Sequence, residues 1–112
     1  MRIAIPTAAG KLAMHFGHCE EFAVIDVDPE KKAVLTTEVL KAPEHEPGLF
    51  PRWLAARGVS TVIAGGMGGR AQSLFAAENI EVVVGAPAEE PAAVAMAYLD
   101  GNLKTGSNIC DH

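Results

Sequence analysis

His15, His18 and Cys19 fall within five residues of the stretch "MHFGHCEEF" (14–22), in a chain of 112 residues that holds only four histidines and two cysteines. The second cysteine and another histidine stand at the far terminus, in Cys110-Asp111-His112, and His45 completes the set inside "PEHEPG". Imidazole and thiolate are the side chains that bind zinc, copper(I) and iron–sulfur clusters. Gly17 lies between the two imidazoles and permits a tight turn that aims both inward. A cationic His18, or a metal shared by both residues, would lower the Cys19 pKa. The spacing is not that of a zinc finger, since neither a CxxC nor an HxxxH occurs. A hydrogen-bonded loop histidine and a small buried thiol would account for His18 and Cys19 without a metal. Phe16 is expected to plug the core. "PEHEPG" also reads as a solvated loop, with Glu44 and Glu46 facing water. Chain termini are commonly disordered, yet this one follows a capped helix and ends in two ligand types.

A second stretch with chemical potential is "GGMGG", residues 65–69. Gly65, Gly66, Gly68 and Gly69 can expose backbone N–H groups where a strand feeds a helix, and such a nest attracts anions. No Lys-Ser or Lys-Thr follows, so it is not a P-loop, and the spacing is not GxGxxG. A tight turn alone would need only one or two of the glycines. Met67 offers a soft sulfur, although filling a gap is its commoner use.

The elements that must position these residues follow from periodicity. "RIAIPT" (2–7) reads as a strand ended by its proline. "EFAVIDVD" (21–28) alternates, with Phe22, Val24 and Asp26 on one face and Ala23, Ile25 and Val27 on the other. A "DPEK" turn returns the chain through the β-branched run 32–41, so the two strands form an antiparallel hairpin. Phe50, Trp53, Leu54 and Arg57 then follow helical spacing, with Pro51 in the first turn and Gly58 as a C-terminal cap. "VSTVIA" (59–64) is a buried strand, Ala71, Leu74, Phe75 and Glu78 mark a helix stopped at Asn79, and "IEVVVG" (80–85) is a further strand. Residues 88–101 give a last helix, with acidic residues in its first turn and Gly101 after its end. The order β-β-β-α-β-α-β-α predicts a single α/β domain over residues 1–112: a mixed five-stranded sheet flanked by three helices, of the ribonuclease H-like type. The ligand-bearing segments then occupy loops 8–20 and 42–50 and the tail 102–112.

Bulk properties narrow the function classes. A net charge of −5 without a basic cluster disfavours nucleic acid and anionic membranes as partners. The longest apolar run, "AAVAMAYL", is too short to span a bilayer, and Pro6 interrupts any signal-like stretch. A cytoplasmic location is expected, with Cys19 and Cys110 as thiols. A nuclease of ribonuclease H type needs strand carboxylates for two magnesium ions, and "RIAIPT" and "STVIAGG" have none.

"HFGHCEEF", "HEPG", "VIAGGMGGRA", "GNL" and the ending "NICDH", in this order, resemble the dinitrogenase iron–molybdenum cofactor biosynthesis family over essentially the whole chain. The resemblance implies a ribonuclease H-like fold without nuclease activity, and binding or carriage of an iron–sulfur or molybdenum-containing cluster, which makes a non-enzymatic carrier the expected function. By position it assigns His15 and Gly65 to Gly68 to the site; this chain adds His18, Cys19, Cys110 and His112. Donor or acceptor proteins for the cluster become the expected partners of a monomer or homodimer. Three functions are thus weighed: a cluster carrier in cofactor biosynthesis or metal homeostasis, a small zinc-binding protein or metallohydrolase with Glu44 or Glu46 as base, and a ligand-free regulatory module.

Overall fold

A computed structural model describes residues 1–44 and 48–106, apart from the His18 side chain. The alternation in 21–28 becomes β3 (Glu21–Asp28), which follows β1 (Arg2–Ala8) and a short β2 (Lys11–Leu12) and precedes β4 (Ala33–Lys41). Helix α1 (Leu49–Ala55), β5 (Thr61–Ile63), α2 (Gly69–Ala77), β6 (Glu81–Val83) and α3 (Pro91–Leu99) complete the order. The strands form one sheet in the order β4-β3-β1-β5-β6, with β2 paired to β1. β1, β5 and β6 run parallel, while β3 lies antiparallel to both β1 and β4. This is the expected mixed sheet with three helices, enlarged from five strands to six.

Each face of the sheet has its own core, as the period-2 pattern of β3 requires. Phe22 and Val24 join Ala4, Phe50, Leu54, Val62 and Phe75 under α1 and α2. Ala23, Ile25 and Val27 join Ile3, Ile5, Ile63, Val94 and Ala95 under α3. Residues with positive φ, Gly58, Asn79 and Gly101, follow the ends of the three helices.

The structure corrects the sequence reading in three places. β1 does not stop at Pro6; it continues to Ala8, with Pro6 opposite Phe22. The Pro6 carbonyl turns away from β3 to accept from the Ala13 amide at 2.8 Å. The missing N–H of Pro6 falls on that same side and leaves the ladder to β3 intact. Ala9 and Gly10, at φ 54° and 81°, then reverse the chain into β2. The result is a tight hairpin inside what reads as loop. The third difference is at α3, which begins at Pro91 with no acidic residue in its first turn; Glu90 stands just outside it as the N-cap.

Candidate functional site

Three strands of one direction end at the same edge of the sheet, and β4, antiparallel to β3, ends there as well. The segments 9–20, 42–44, 64–68 and 84–90 therefore leave from one edge, the usual place for ligands in open α/β sheets. His15 stands beside Gly66 in a parallel bridge. Two backbone bonds close it: Phe16 N–H donates to the Gly66 carbonyl at 2.9 Å, and Gly66 N–H to the Met14 carbonyl at 2.7 Å. The histidine segment and the glycine loop, far apart in sequence, are thus held side by side.

Phe16 fixes that segment from below. It begins a short 3₁₀ turn (Phe16–His18), and its ring meets Phe50 and Phe75 at 5.5 Å each, edge to face. Such pairs add about 0.5–1.5 kcal/mol beyond the area they bury. The expected plug is in place, and it ties the histidine segment to the first residues of α1 and to α2. Cys19 follows the turn, half-buried against the same core, as a free thiol. Burial pushes its pKa up to about 11, partly offset by a backbone hydrogen bond. A lowered pKa is expected only with a cationic His18 or a shared metal; burial against the apolar core by itself raises it.

The five residues of the glycine loop divide by role. At Gly65 a Cβ would come within 2.9 Å of the Met14 carbonyl oxygen and 3.0 Å of that of Ala13. Only glycine lets the two loops touch. Met67 is 1% exposed and fills the core, and its carbonyl accepts from Gln72 Nε2 at 2.9 Å. Its side chain is a gap filler, not a sulfur presented to the surface. Gly68 and Gly69 differ from both. They cap and open α2, neither has a positive φ, and among the described residues nothing lies within 4 Å of where a Cβ would stand. Neither backbone conformation nor packing demands glycine there. Among the described residues no side chain caps this helix and no acid sits in its first turn to offset its positive end. Arg70, exposed, adds a cation at the same end.

Sequence reasoning passed over two features. A cavity of about 230 Å³ opens beside the histidine segment, lined by Met14, Gly65, Gly85, Ala86, Pro87, Ala88 and Gly106. One wall is the segment after α3: Gly106 N–H donates to the Gly85 carbonyl at 2.7 Å, and Gly85 N–H to that of Gly65 at 2.6 Å. Gly85 has a φ of 82°, and a Cβ there would run into the Gly106 carbonyl. Its glycine is therefore required. The run "VVVGAP" holds the signal for Gly85, a glycine straight after an apolar strand; nothing local marks Gly106.

Of the six candidate metal ligands, the structure brings His15 and Cys19 to the edge that carries the glycine loop, with the His18 backbone between them. His45, Cys110 and His112 lie outside the described residues. Among the described residues no group of three or more His, Cys, Asp or Glu could hold a metal ion. Nothing among the described residues crowds Gly68 and Gly69 at the α2 N-terminus, an end of a helix that favours anions. Among the described residues, no helix is long and apolar enough to cross a membrane.

Comparison with known proteins accords with this geometry. The crystal structure of PH0822 superposes with a TM-score of 0.87 at 30% identity, covering 96% of both chains. The apo form of the orange protein from Desulfovibrio gigas shares the fold, with a TM-score of 0.69 at 23% identity over 96% of this chain and 93% of that one. MJ0580 of Methanocaldococcus jannaschii, itself described as uncharacterized, is 29% identical over 85 residues, 73% of this chain and 72% of its own. The family described as "Dinitrogenase iron-molybdenum cofactor" matches residues 1–101, and the chain belongs to it.

Proposed function

We propose that this protein binds and carries a preformed metal–sulfide cluster, iron–sulfur or molybdenum-containing, and performs no chemistry on it. The observation that carries the reading is the pair Gly68 and Gly69: among the described residues nothing lies within 4 Å of a Cβ at either, and no side chain caps the helix terminus behind them. A cluster is anionic and its sulfides accept hydrogen bonds, so backbone N–H groups and the helix end would hold it. A bare zinc cation would gain nothing there. His15 and Cys19 would supply imidazole and thiolate from the adjoining segment, with His18, His45, Cys110 and His112 as further ligands of the same classes. Family membership and the likeness to the apo orange protein support a role in handling cofactors. The partners would be proteins that donate or accept the cluster, in the reducing cytoplasm that a free thiol suits.

Anaerobic purification, or reconstitution with iron or molybdate and sulfide, tests this through elemental analysis and an absorption spectrum. The expected result is a coloured species with stoichiometric sulfide and iron or molybdenum. Zinc without sulfide, or no metal after reconstitution, would overturn it.

A further inference from the structure

β4 is the one long strand at a sheet edge: nine residues, Ala33–Lys41, that pair with β3 alone among the described residues. Ala42 N–H donates to the Glu20 carbonyl at 3.0 Å, which fixes the parity of the hairpin. Because antiparallel partners alternate, Leu40, Glu38 and Thr36 turn their backbone polar groups toward β3. Thr37, Val39 and Lys41 therefore turn theirs outward, a ladder of donors and acceptors that no other described strand uses. Exposed apolar side chains mark the same edge. Val39 is 58% exposed and Leu35 62%; the other large exposed hydrophobics among the described residues are Met1 and Met14.

We infer that β4 is a self-association edge, and that a second copy of this chain pairs with it antiparallel about a two-fold axis through Val39. The register follows from where the regular edge ends. On one side it ends at Leu35, which has no opposite residue because the β3–β4 register shifts between Asp26 and Val27. On the other it ends at Pro43, which has no N–H to donate. An axis at Val39 sets these two interruptions opposite each other, apolar against apolar. Between them, Thr37 faces the partner's Lys41 and Val39 faces the partner's Val39, all residues with outward backbone groups. Glu38 falls opposite Leu40, so no like charges oppose directly. An axis at Glu38 would set two carboxylates face to face. An axis at Thr37 would ask Val39 to bond with Leu35, where the regular ladder has ended. The pairing uses the same patch on both copies, so it closes at a dimer. It holds whether or not the chain carries a cluster.

Sedimentation velocity over a concentration series of the full chain tests the edge, and cross-linking tests the register. The weight-average mass should rise reversibly toward twice the monomer value. Val39→Lys, which sets two ammonium groups opposite each other, should raise the dimer dissociation constant about tenfold or more. Its melting curve checks that the fold survives. Under mild oxidation Val39→Cys should give a disulfide-linked dimer, since facing residues of a bonded pair stand about 5.5 Å apart. Thr37→Cys, off the axis, should cross-link no more than the parent chain. A strict monomer at all concentrations, a dimer indifferent to Val39→Lys, or equal cross-linking by the two cysteine variants would each overturn the assignment.

Discussion

His15 lies beside Gly66 in a parallel bridge, closed on one side by the Phe16 amide and on the other by the Met14 carbonyl. The bridge is made by backbone atoms alone, so the imidazole can be removed without touching it. His15 is exposed. His15→Ala should therefore still give a cooperative thermal melt, with the backbone bridge intact. Cluster loading after anaerobic reconstitution should fall. Unchanged metal and sulfide per chain would show that the imidazole is not a ligand.

The glycine loop allows binding to be separated from folding. Gly65→Ala forces a Cβ against the Met14 and Ala13 carbonyls. It should cost about 1–3 kcal/mol in a denaturant titration. Gly69→Ala, at the first position of α2, meets nothing within 4 Å among the described residues. It should stabilise by roughly 0.4–1 kcal/mol. If the loop cradles an anion, the same stabilising change should reduce cluster binding, because the added methyl occupies the approach. A Gly69→Ala protein that is both firmer and fully loaded would reduce Gly69 to a turn residue.

Gly85 should be intolerant for two reasons, its left-handed backbone and the Gly106 carbonyl against it. Gly85→Ala should cost roughly 1–3 kcal/mol. The Gly106 amide, which donates to Gly85, should then exchange its hydrogen faster than in the parent chain. Equal exchange rates would mean that residues 102–106 hold their place without this contact.

At the far end of β1, Arg2 Nε donates to Asp26 Oδ1 at 2.7 Å, Arg2 Nη2 to Oδ2 at 3.2 Å, and Thr36 Oγ1 to Oδ2 at 3.0 Å. The guanidinium holds the Asp26 carboxyl below its usual pKa. A depressed folded pKa contributes stability above the unfolded value of about 3.9 and loses it as the pH falls through the folded one. Asp26→Asn should therefore lower the melting temperature at pH 7, and the gap to the parent should close on acidification below pH 4. A gap independent of pH would show that the carboxylate charge contributes nothing.

Much of this fold was legible because the signals are local. The alternation Phe22, Ala23, Val24, Ile25 assigned each side chain to the correct core, and the spacing of Phe50, Trp53 and Leu54 located α1. What escaped depends on contacts across the chain. Pro6 reads as a terminator until the Ala13 amide shows which side of β1 lacks a donor. Lys11–Leu12 is too short for any period to register. The contact between His15 and Gly66 needs the strand order, because only topology brings residues so distant in sequence to one edge. Met67, flanked by glycines, looked available; its burial follows from Phe16 and Phe75, which no pattern near residue 67 reveals.

Cys19 is where folding and binding oppose each other. The apolar core raises its pKa to about 11, so the folded chain favours the neutral thiol. A raised folded pKa contributes stability that is complete below the ordinary thiol value of 9.0 and disappears as the pH climbs to about 11. Lysine and tyrosine side chains ordinarily titrate in the same window, so the informative quantity is the difference between the parent chain and Cys19→Ser. At neutral pH that variant should be less stable by an amount near the low end of roughly 0.5–3 kcal/mol. The parent's advantage should shrink between pH 9 and 11. A cluster binds the thiolate, so loading at pH 7 must expel the Cys19 proton, and cluster affinity should rise with pH more steeply in the parent than in Cys19→Ser. Titration of cluster binding at pH 6.5, 7.5 and 8.5 on both proteins decides this. Parallel pH profiles would remove Cys19 from the ligand set and leave it as part of the core.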